Sequence, residues 1–239
     1  TGYLSVLQSM PEPLRSQMLF GDFEAGMEDS VWQVIPTAWV EAAMLRWKDK
    51  SPKPEMDSMG VDVARGGRDN TVLSTRHGNW YAKLIKMPGK STPEGKQVVG
   101  AVVANLSDDA PVHVDVVGVG ASPYDLLVQG HYQTVGVNVG EKSTWHGKSG
   151  RLQFYNLRSE LWWRMREQLD PDNDTGVALP PDQELLADLC APEWKMDGKN
   201  IKVESREDII DRIGRSPDFA TAVILAQLDT PKARRVMDA

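Results

Sequence analysis

Three aspartates carry the chemistry this sequence is able to do: Asp62 in GVDVARGGRD, Asp115 in PVHVDVVGVG and Asp218 in SPDFATA. Two of them interrupt valine-rich runs that read as buried strands, and the third opens an apolar helix. A carboxylate taken out of water is costly unless something positive is brought to it. Three desolvated carboxylates cannot all ionise together without a counter-charge. Hard divalent cations meet that need, because Mg2+ and Mn2+ prefer oxygen ligands. Two such ions roughly 4 Å apart can stabilise the attacking water and the leaving oxygen of a phosphodiester. The chemistry expected of the trio is metal-assisted hydrolysis by in-line displacement. Taken singly, each acid has a plainer reading. A buried strand Asp is commonly a hydrogen-bonded structural acid, and the Asp of Ser-Pro-Asp suits a helix dipole.

The elements that must position these acids follow from the patterning. Residues 1–55 read as a helical segment: SVLQSM and PEPLRSQMLFGDF are helical pieces, and Pro36-Thr37 caps a helix over AWVEAAMLRWK. SPKPEMDS (51–58) reads as a linker and puts a boundary near residue 55, with a second unit at 56–239. That unit opens with three strands, MGVDVA, TVLSTRHG and WYAKLIKM, joined by the turn residues RGGRDN and GN in an antiparallel meander. A helix over TPEGKQVVGAVVANLSDD, with Thr92 near its cap, leads to PVHVDVVGVG, an apolar strand of the type buried on both faces. A helix over SPYDLLVQGHY and a strand at TVGVNV follow. The order β-β-β-α-β-α-β predicts an α/β fold: a mixed sheet, an antiparallel meander plus parallel strands, flanked by helices. If the first and fourth strands are neighbours, Asp62 and Asp115 lie side by side. Further on, FYNLRSELWWRMREQL reads as helical, ALPPDQELLADL as a loop and a short helix, and EWKMDGKNIKVES as a hairpin turning at Asp197-Gly198. SPDFATAVILAQL reads as a last helix capped by Ser216 with Pro217 at its first position.

Composition narrows the classes. The 239 residues are 41% hydrophobic and 26% charged, an ordinary globular profile, with a net charge of −7 that argues against a dedicated nucleic-acid binder. No apolar run reaches the roughly 18 residues of a membrane span, and the first residues do not read as a signal peptide. The absence of an initiator methionine suggests a fragment or a processed product. Cys190 is the only cysteine, which excludes an intrachain disulfide and argues against a thiolate zinc site. MPGKST (87–92), GVNVGEKST (136–144) and GVGASP (118–123) imitate phosphate-binding loops but lack the full glycine spacing. His77, His113, His131 and His146 have no ligand spacing.

A strand-1 acid, a strand-4 acid and a late-helix acid are together the layout of ribonuclease-H-like nucleases. GVDVARGGRD, VHVDVVGVGASPYDLL, FYNLRSELWWRMRE, ALPPDQELLADL and KVESREDIIDRIGRSPDFATA, in that order, resemble the nuclease domain of the large terminase subunit of tailed bacteriophages. The resemblance runs from about residue 56 to 228, and QVIPTAWVEAAMLRW is similar to the segment joining the terminase ATPase to its nuclease. It implies a C-terminal part of a packaging motor that cuts concatemeric viral DNA with two Mg2+ or Mn2+ ions. It also implies double-stranded DNA, the ATPase domain, the small terminase subunit and the portal as partners, the cytoplasm of the infected bacterium as location, and no membrane association. Asp62 and Asp115 match the first two metal-binding acids and Asp218 the third. Asp69 and Arg206 are possible accessory residues, Arg206 standing where the family commonly has Lys. Thr221 stands where the family often has a further acid. Arg65, Arg68, Lys142 and Lys148 are the basic residues expected to hold DNA, with His146, Arg158, Arg164 and Arg166 near them, through phosphate contacts. Trp162 and Trp163 are expected to pack rather than stack on bases. The competing readings are a catalytically weak docking module of the motor, an actin-like ATPase (which needs two such halves), and another ribonuclease-H-like nuclease such as a junction resolvase.

Overall fold

A computed structural model describes residues 29–49, 54–64 and 69–232. The helical pieces expected within residues 5–23 lie outside them. The first described helix, α1 (Thr37–Arg46), starts where expected, but Thr37 is not its cap. Pro36 holds that position without a side-chain bond, and the amide and hydroxyl of Thr37 instead donate to Asp29 at 2.8 and 2.7 Å.

The expected meander is present. Strand β1 (Ser58–Asp62) pairs antiparallel with β2 (Asn70–His77), taking in Ser58 from the expected linker. The expected third strand is split into β3 (Trp80–Tyr81) and β4 (Ile85–Pro88), both paired with β2. Arg76 faces Tyr81, whereas Leu73 faces Ile85, so three residues, 82–84, stand opposite only Ser74 and Thr75. One extra residue is a bulge, and it interrupts the pairing. Helix α2 (Gly95–Asn105) begins two residues later than the Thr92 cap predicted: Glu94 is its cap, and Glu94 and Gln97 form its capping box. Thr92 is instead buried, its hydroxyl 2.8 Å from that of Thr71.

Strand β5 (Val112–Asp115) pairs parallel with β1, helix α3 (Ala121–Gln129) follows, and β6 (Thr134–Val137) pairs parallel with β5. The sheet order is β3-β2-β1-β5-β6, with β4 beside β2. The apolar run after His113 was expected to continue as a doubly buried strand. It leaves the sheet after Asp115, whose Oδ1 accepts the Val117 amide at 2.9 Å; Gly118 then takes φ +83°. Val117 is consequently 57% exposed.

The later described elements lie on one side of the sheet: α4 (Leu157–Leu169), α5 (Gln183–Cys190), the hairpin β7 (Trp194–Asp197) and β8 (Asn200–Val203), α6 (Arg206–Ile213) and α7 (Asp218–Ala226). Asn156 caps α4. The last helix does not start as expected: Pro217 occupies the cap position with no side-chain bond, and Ser216 is engaged elsewhere. Two cores result. Met59, Val61, Val112 and Val114 meet Val98, Val102 and Leu127 on the α2–α3 face. Leu161, Met165, Leu185, Leu189 and Val223 pack on the other, joined by Val34, Ile35, Val40 and Ala43 from the first described segment. Trp162 and Trp163 are buried in it, as expected.

Helix α7 lies closely on β1. A Cβ on Gly60 would stand 2.1 Å from the Ala222 carbonyl oxygen and 2.4 Å from the Ala226 nitrogen. Gly60→Ala should therefore destabilise the chain by about 1–3 kcal/mol or more in urea unfolding, because neither backbone atom has room to move aside. Gly100→Ala, on exposed α2 with open space around it, should instead stabilise by roughly 0.5–1 kcal/mol. A Gly60→Ala midpoint equal to wild type would contradict the close packing.

Candidate metal centre

Alternation along the strands decides where the acids point. Met59 and Val61 face α2 and α3, so Ser58, Gly60 and Asp62 face α7. On β5, Val112 and Val114 share the first face, which leaves His113 and Asp115 on the second. Val61 stands opposite Val114 in the parallel register, and Asp62 and Asp115 are the next residue on each strand. Both acids therefore come level on one face at the carboxyl ends of neighbouring strands.

Helix α7 supplies the third. The Ser58 hydroxyl donates to the Ala226 carbonyl at 2.5 Å, fixing the end of the helix over the start of β1. Back along α7 to its first residue is about 12 Å of helix, and from Ser58 to Asp62 is about 13 Å of strand. The two elements run antiparallel, so Asp218 arrives at Asp62. Its Oδ2 accepts the Asn70 amide at 2.9 Å, tying it to the start of β2.

The electrostatics mark the cluster as one unit. Asp62 is buried, and burial first, then the carboxylates of Asp218, Asp115 and Asp69, hold its carboxyl well above the ordinary range against the pull of Arg206. Burial also raises Asp115, against the Val117 amide, Arg158 and Arg206. It raises Asp218 as well, against the Ser216 hydroxyl and the Asn70 amide. Two arginines supply positive charge. Arg206, the first residue of α6, has Nη2 2.9 Å from Asp69 and 3.7 Å from Asp218, and its Nε donates to Ser216 Oγ at 2.7 Å. Arg158, in the first turn of α4, donates from Nε to the Glu204 carbonyl at 2.7 Å and senses Glu207, Asp115 and Asp62. Burial pulls it down to about 10, so it stays a cation at neutral pH.

Donor chemistry suits a hard divalent cation: every candidate ligand is a carboxylate oxygen. Asp218 Oδ1 is buried without a hydrogen-bond partner, and no hydrogen bond contributes to the shift of Asp62. Yet among the described residues no three His, Cys, Asp or Glu side chains are close enough together to hold a metal ion. The Arg206 guanidinium lies between two of the acids, Asp69 and Asp218. The residues fit the ion by type, and closing on it requires the carboxylates to turn towards a common centre.

The other expected residues are dispersed. Asp69 joins the network through Arg206. Arg65 and Arg68 lie outside the described residues. Lys142 is exposed, next to Glu141, whose carbonyl accepts the Leu157 amide at the start of α4. Lys148 sits at the other end of that helix, its ammonium bonded to Asn173 and its amide to Glu167. Arg166 is buried, donating to the Val34 carbonyl, and Arg164 pairs with Glu160 at 2.8 Å. Arg166 therefore packs rather than reaching DNA. Thr221 donates to the Pro217 carbonyl at 2.9 Å, a bond within its own helix. Sequence reasoning grouped Arg158 with the basic helix and did not place it against Asp115. It missed Asp188 altogether, although an acid sharing the spacing of Leu185 and Leu189 is a legible signal of a buried charge.

A ribonuclease-H-like sheet with acids at the carboxyl ends of its central strands defines the class of fold. No family model matches the sequence, and no curated protein is similar to it. Solved structures are. The nuclease domain of the large terminase subunit gp2 of bacterial virus Sf6, as a mutant with manganese and beta-thujaplicinol, matches at TM-score 0.66 and 17% identity, over 83% of this chain and 100% of that one. Another structure of that nuclease domain gives 0.60 and 16%, over 83% and 100%. The large terminase nuclease of thermophilic phage G20c with bound cobalt gives 0.56 and 17%, over 82% and 97%. The fold of this chain is that of phage large terminase nuclease domains, as its motifs led one to expect.

A carboxyl raised in the folded state ionises at a cost. That cost is absent below the unfolded pKa, grows as pH rises from there to the folded value, and is constant above it. Asp62→Asn should therefore gain stability over wild type on going from pH 4 to pH 7.5 without divalent ions. Each kcal/mol gained would raise the melting midpoint by roughly 2–4 °C in a chain of this size. A gain that is no larger at pH 7.5 than at pH 4 would show that the charges do not oppose folding.

Proposed function

We propose that this chain is a metal-dependent DNA endonuclease that cuts concatemeric viral DNA during genome packaging. The observation that supports it best is the placing of Asp62, Asp115 and Asp218 on one face at one end of the central strands. In this reading the three carboxylates hold two divalent cations, Mg2+ or Mn2+. When bound, the ions supply charge neutralisation and stabilise the charge that develops in an in-line displacement at phosphorus. The protein's part is positional. The strands fix Asp62 and Asp115, α7 carries Asp218, and Asn70 orients it. Arg206 keeps the carboxylates together before substrate arrives and then faces the phosphate backbone, beside Arg158. The substrate is double-stranded DNA, met by Lys142 and by Arg65 and Arg68, which lie outside the described residues. Lys148, tied down far from the acids, contributes less than its sequence position suggests. Residues 1–55 act as the connection to a terminase ATPase domain and residues 56–239 as the nuclease. The small terminase subunit and the portal are the further partners, in the cytoplasm of the infected host. Among the described residues no helix is long and apolar enough to cross a membrane.

One observation favours a second reading, a docking module of weak activity: Arg206 pairs with the acids, and no three of them close to coordination distance. Incubation with supercoiled plasmid separates the two. The nuclease reading expects nicking and linearisation with Mn2+ or Mg2+, reduced to background by Asp62→Ala or Asp115→Ala. No cleavage with either metal at any salt concentration would leave the docking module. Binding should distinguish the lysines. In titrations of duplex DNA against salt with the Asp62→Ala chain, adding Lys142→Ala should lower the logarithmic salt slope by about 1. Lys148→Ala should leave it unchanged.

A further inference from the structure

One buried acid has no part in the chemistry proposed above. Asp188 lies on α5 within ALPPDQELLADL, in helical register with Leu185 and Leu189, and is 0% exposed. For packing α5, an aliphatic residue would do at this position, since a buried carboxylate must be matched by charge and hydrogen bonds. Nor does α5 need it as a cap: Asp182 already accepts the Glu184 and Leu185 amides at 2.8 and 3.0 Å.

Both partners of Asp188 lie in the segment entering α7. Its Oδ1 pairs with the Arg215 guanidinium, and its Oδ2 accepts the Phe219 amide at 3.0 Å. Phe219 follows Asp218 directly. Helix α7 has no cap of its own, because the Pro217 side chain has no acceptor to offer. An orphan donor of the first turn is thus satisfied by another helix. Arg206, at the start of α6, donates to Ser216. The segment 215–219 is thus bonded to both α5 and α6, and Asp218 lies within it.

We propose that Asp188 is a positioning residue of the candidate metal centre: from α5 it fixes the first turn of α7 and, through it, the direction in which Asp218 presents its carboxylate to a divalent cation. This rests on the nuclease reading of the three acids. Partners that orient a ligand from behind commonly matter to affinity nearly as much as the ligand does.

The test is Mn2+ affinity by calorimetry, alongside thermal melting, for the wild-type chain, Asp188→Ala, Asp188→Asn and the distant core variant Leu127→Ala. All titrations are made below every melting midpoint. Asp188→Ala should weaken Mn2+ binding roughly 10–100-fold. Asp188→Asn, which keeps an acceptor for the Phe219 amide but not the charge opposite Arg215, should fall between. Leu127→Ala should melt earlier and bind Mn2+ as wild type does. Wild-type affinity in both Asp188 variants overturns the positioning role while leaving the metal centre standing. A wild-type chain that binds no Mn2+ overturns the centre and this role together. If Asp188→Ala does not fold, Asp188→Asn decides: wild-type affinity overturns the role, and weakened affinity supports it.

Discussion

The close contact of α7 with β1 at Gly60 is the constraint on which the rest depends. The helix backbone can lie against the strand only because no side chain separates them. With the Ser58 hydroxyl bonded to the Ala226 carbonyl at one end, the antiparallel run of helix over strand brings Asp218 to Asp62 at the other. A bulkier residue at position 60 would lift the helix, and the third carboxylate with it. The same helix closes the core through Val223 and its neighbours, so the element that carries a site residue also carries much of the packing.

Around that contact, the molecule gathers like charge in a buried place. Asp62, Asp115, Asp218 and Asp69 oppose one another, and burial raises the first three further. Among the described residues the cations Arg206 and Arg158 offset them, and each is restrained: Arg206 by Ser216 and Asp69, Arg158 by the Glu204 carbonyl. An arrangement that costs stability when ionised is the arrangement in which a divalent cation has most to contribute. The Arg206 guanidinium lies between two of these acids, 2.9 Å from Asp69 and 3.7 Å from Asp218.

Much of this could be read in the chain before folding. Alternation marked β1, β2 and the first half of β5, and turn residues marked the meander. Two of the acids stood out because they broke an apolar run, and the third because it opened an apolar helix. The misreadings have local causes. WYAKLIKM reads as one strand, but an extra residue opposite Ser74 and Thr75 divides it. PVHVDVVGVG reads as one long buried strand, but the Asp115 carboxylate captures the Val117 amide and turns the chain out of the sheet. Thr92 and Ser216 look like helix caps, yet both hydroxyls are drawn into longer-range bonds, to Thr71 and Arg206. Capping residues offer a hydrogen bond to whichever partner arrives, and the sequence names only the offer.

The sequence by itself determined the residue types and their faces: a period of two puts Asp62 with Ser58 and Gly60, and a period of 3.6 puts Asp188 with Leu185 and Leu189. Only the tertiary structure decided which of these faces meet. The parallel register of β1 with β5 made two acids, 53 positions apart in the chain, neighbours. The crossing of α7 brought in a third, and α5 brought the buried Asp188 behind it. Lys148 and Arg166, as basic in the sequence as Arg158, were turned by the same packing to Asn173 and Val34. The physical reason is that strand alternation and helix period are local, set by backbone geometry, whereas strand register and helix docking are set by contacts among residues far apart in the chain.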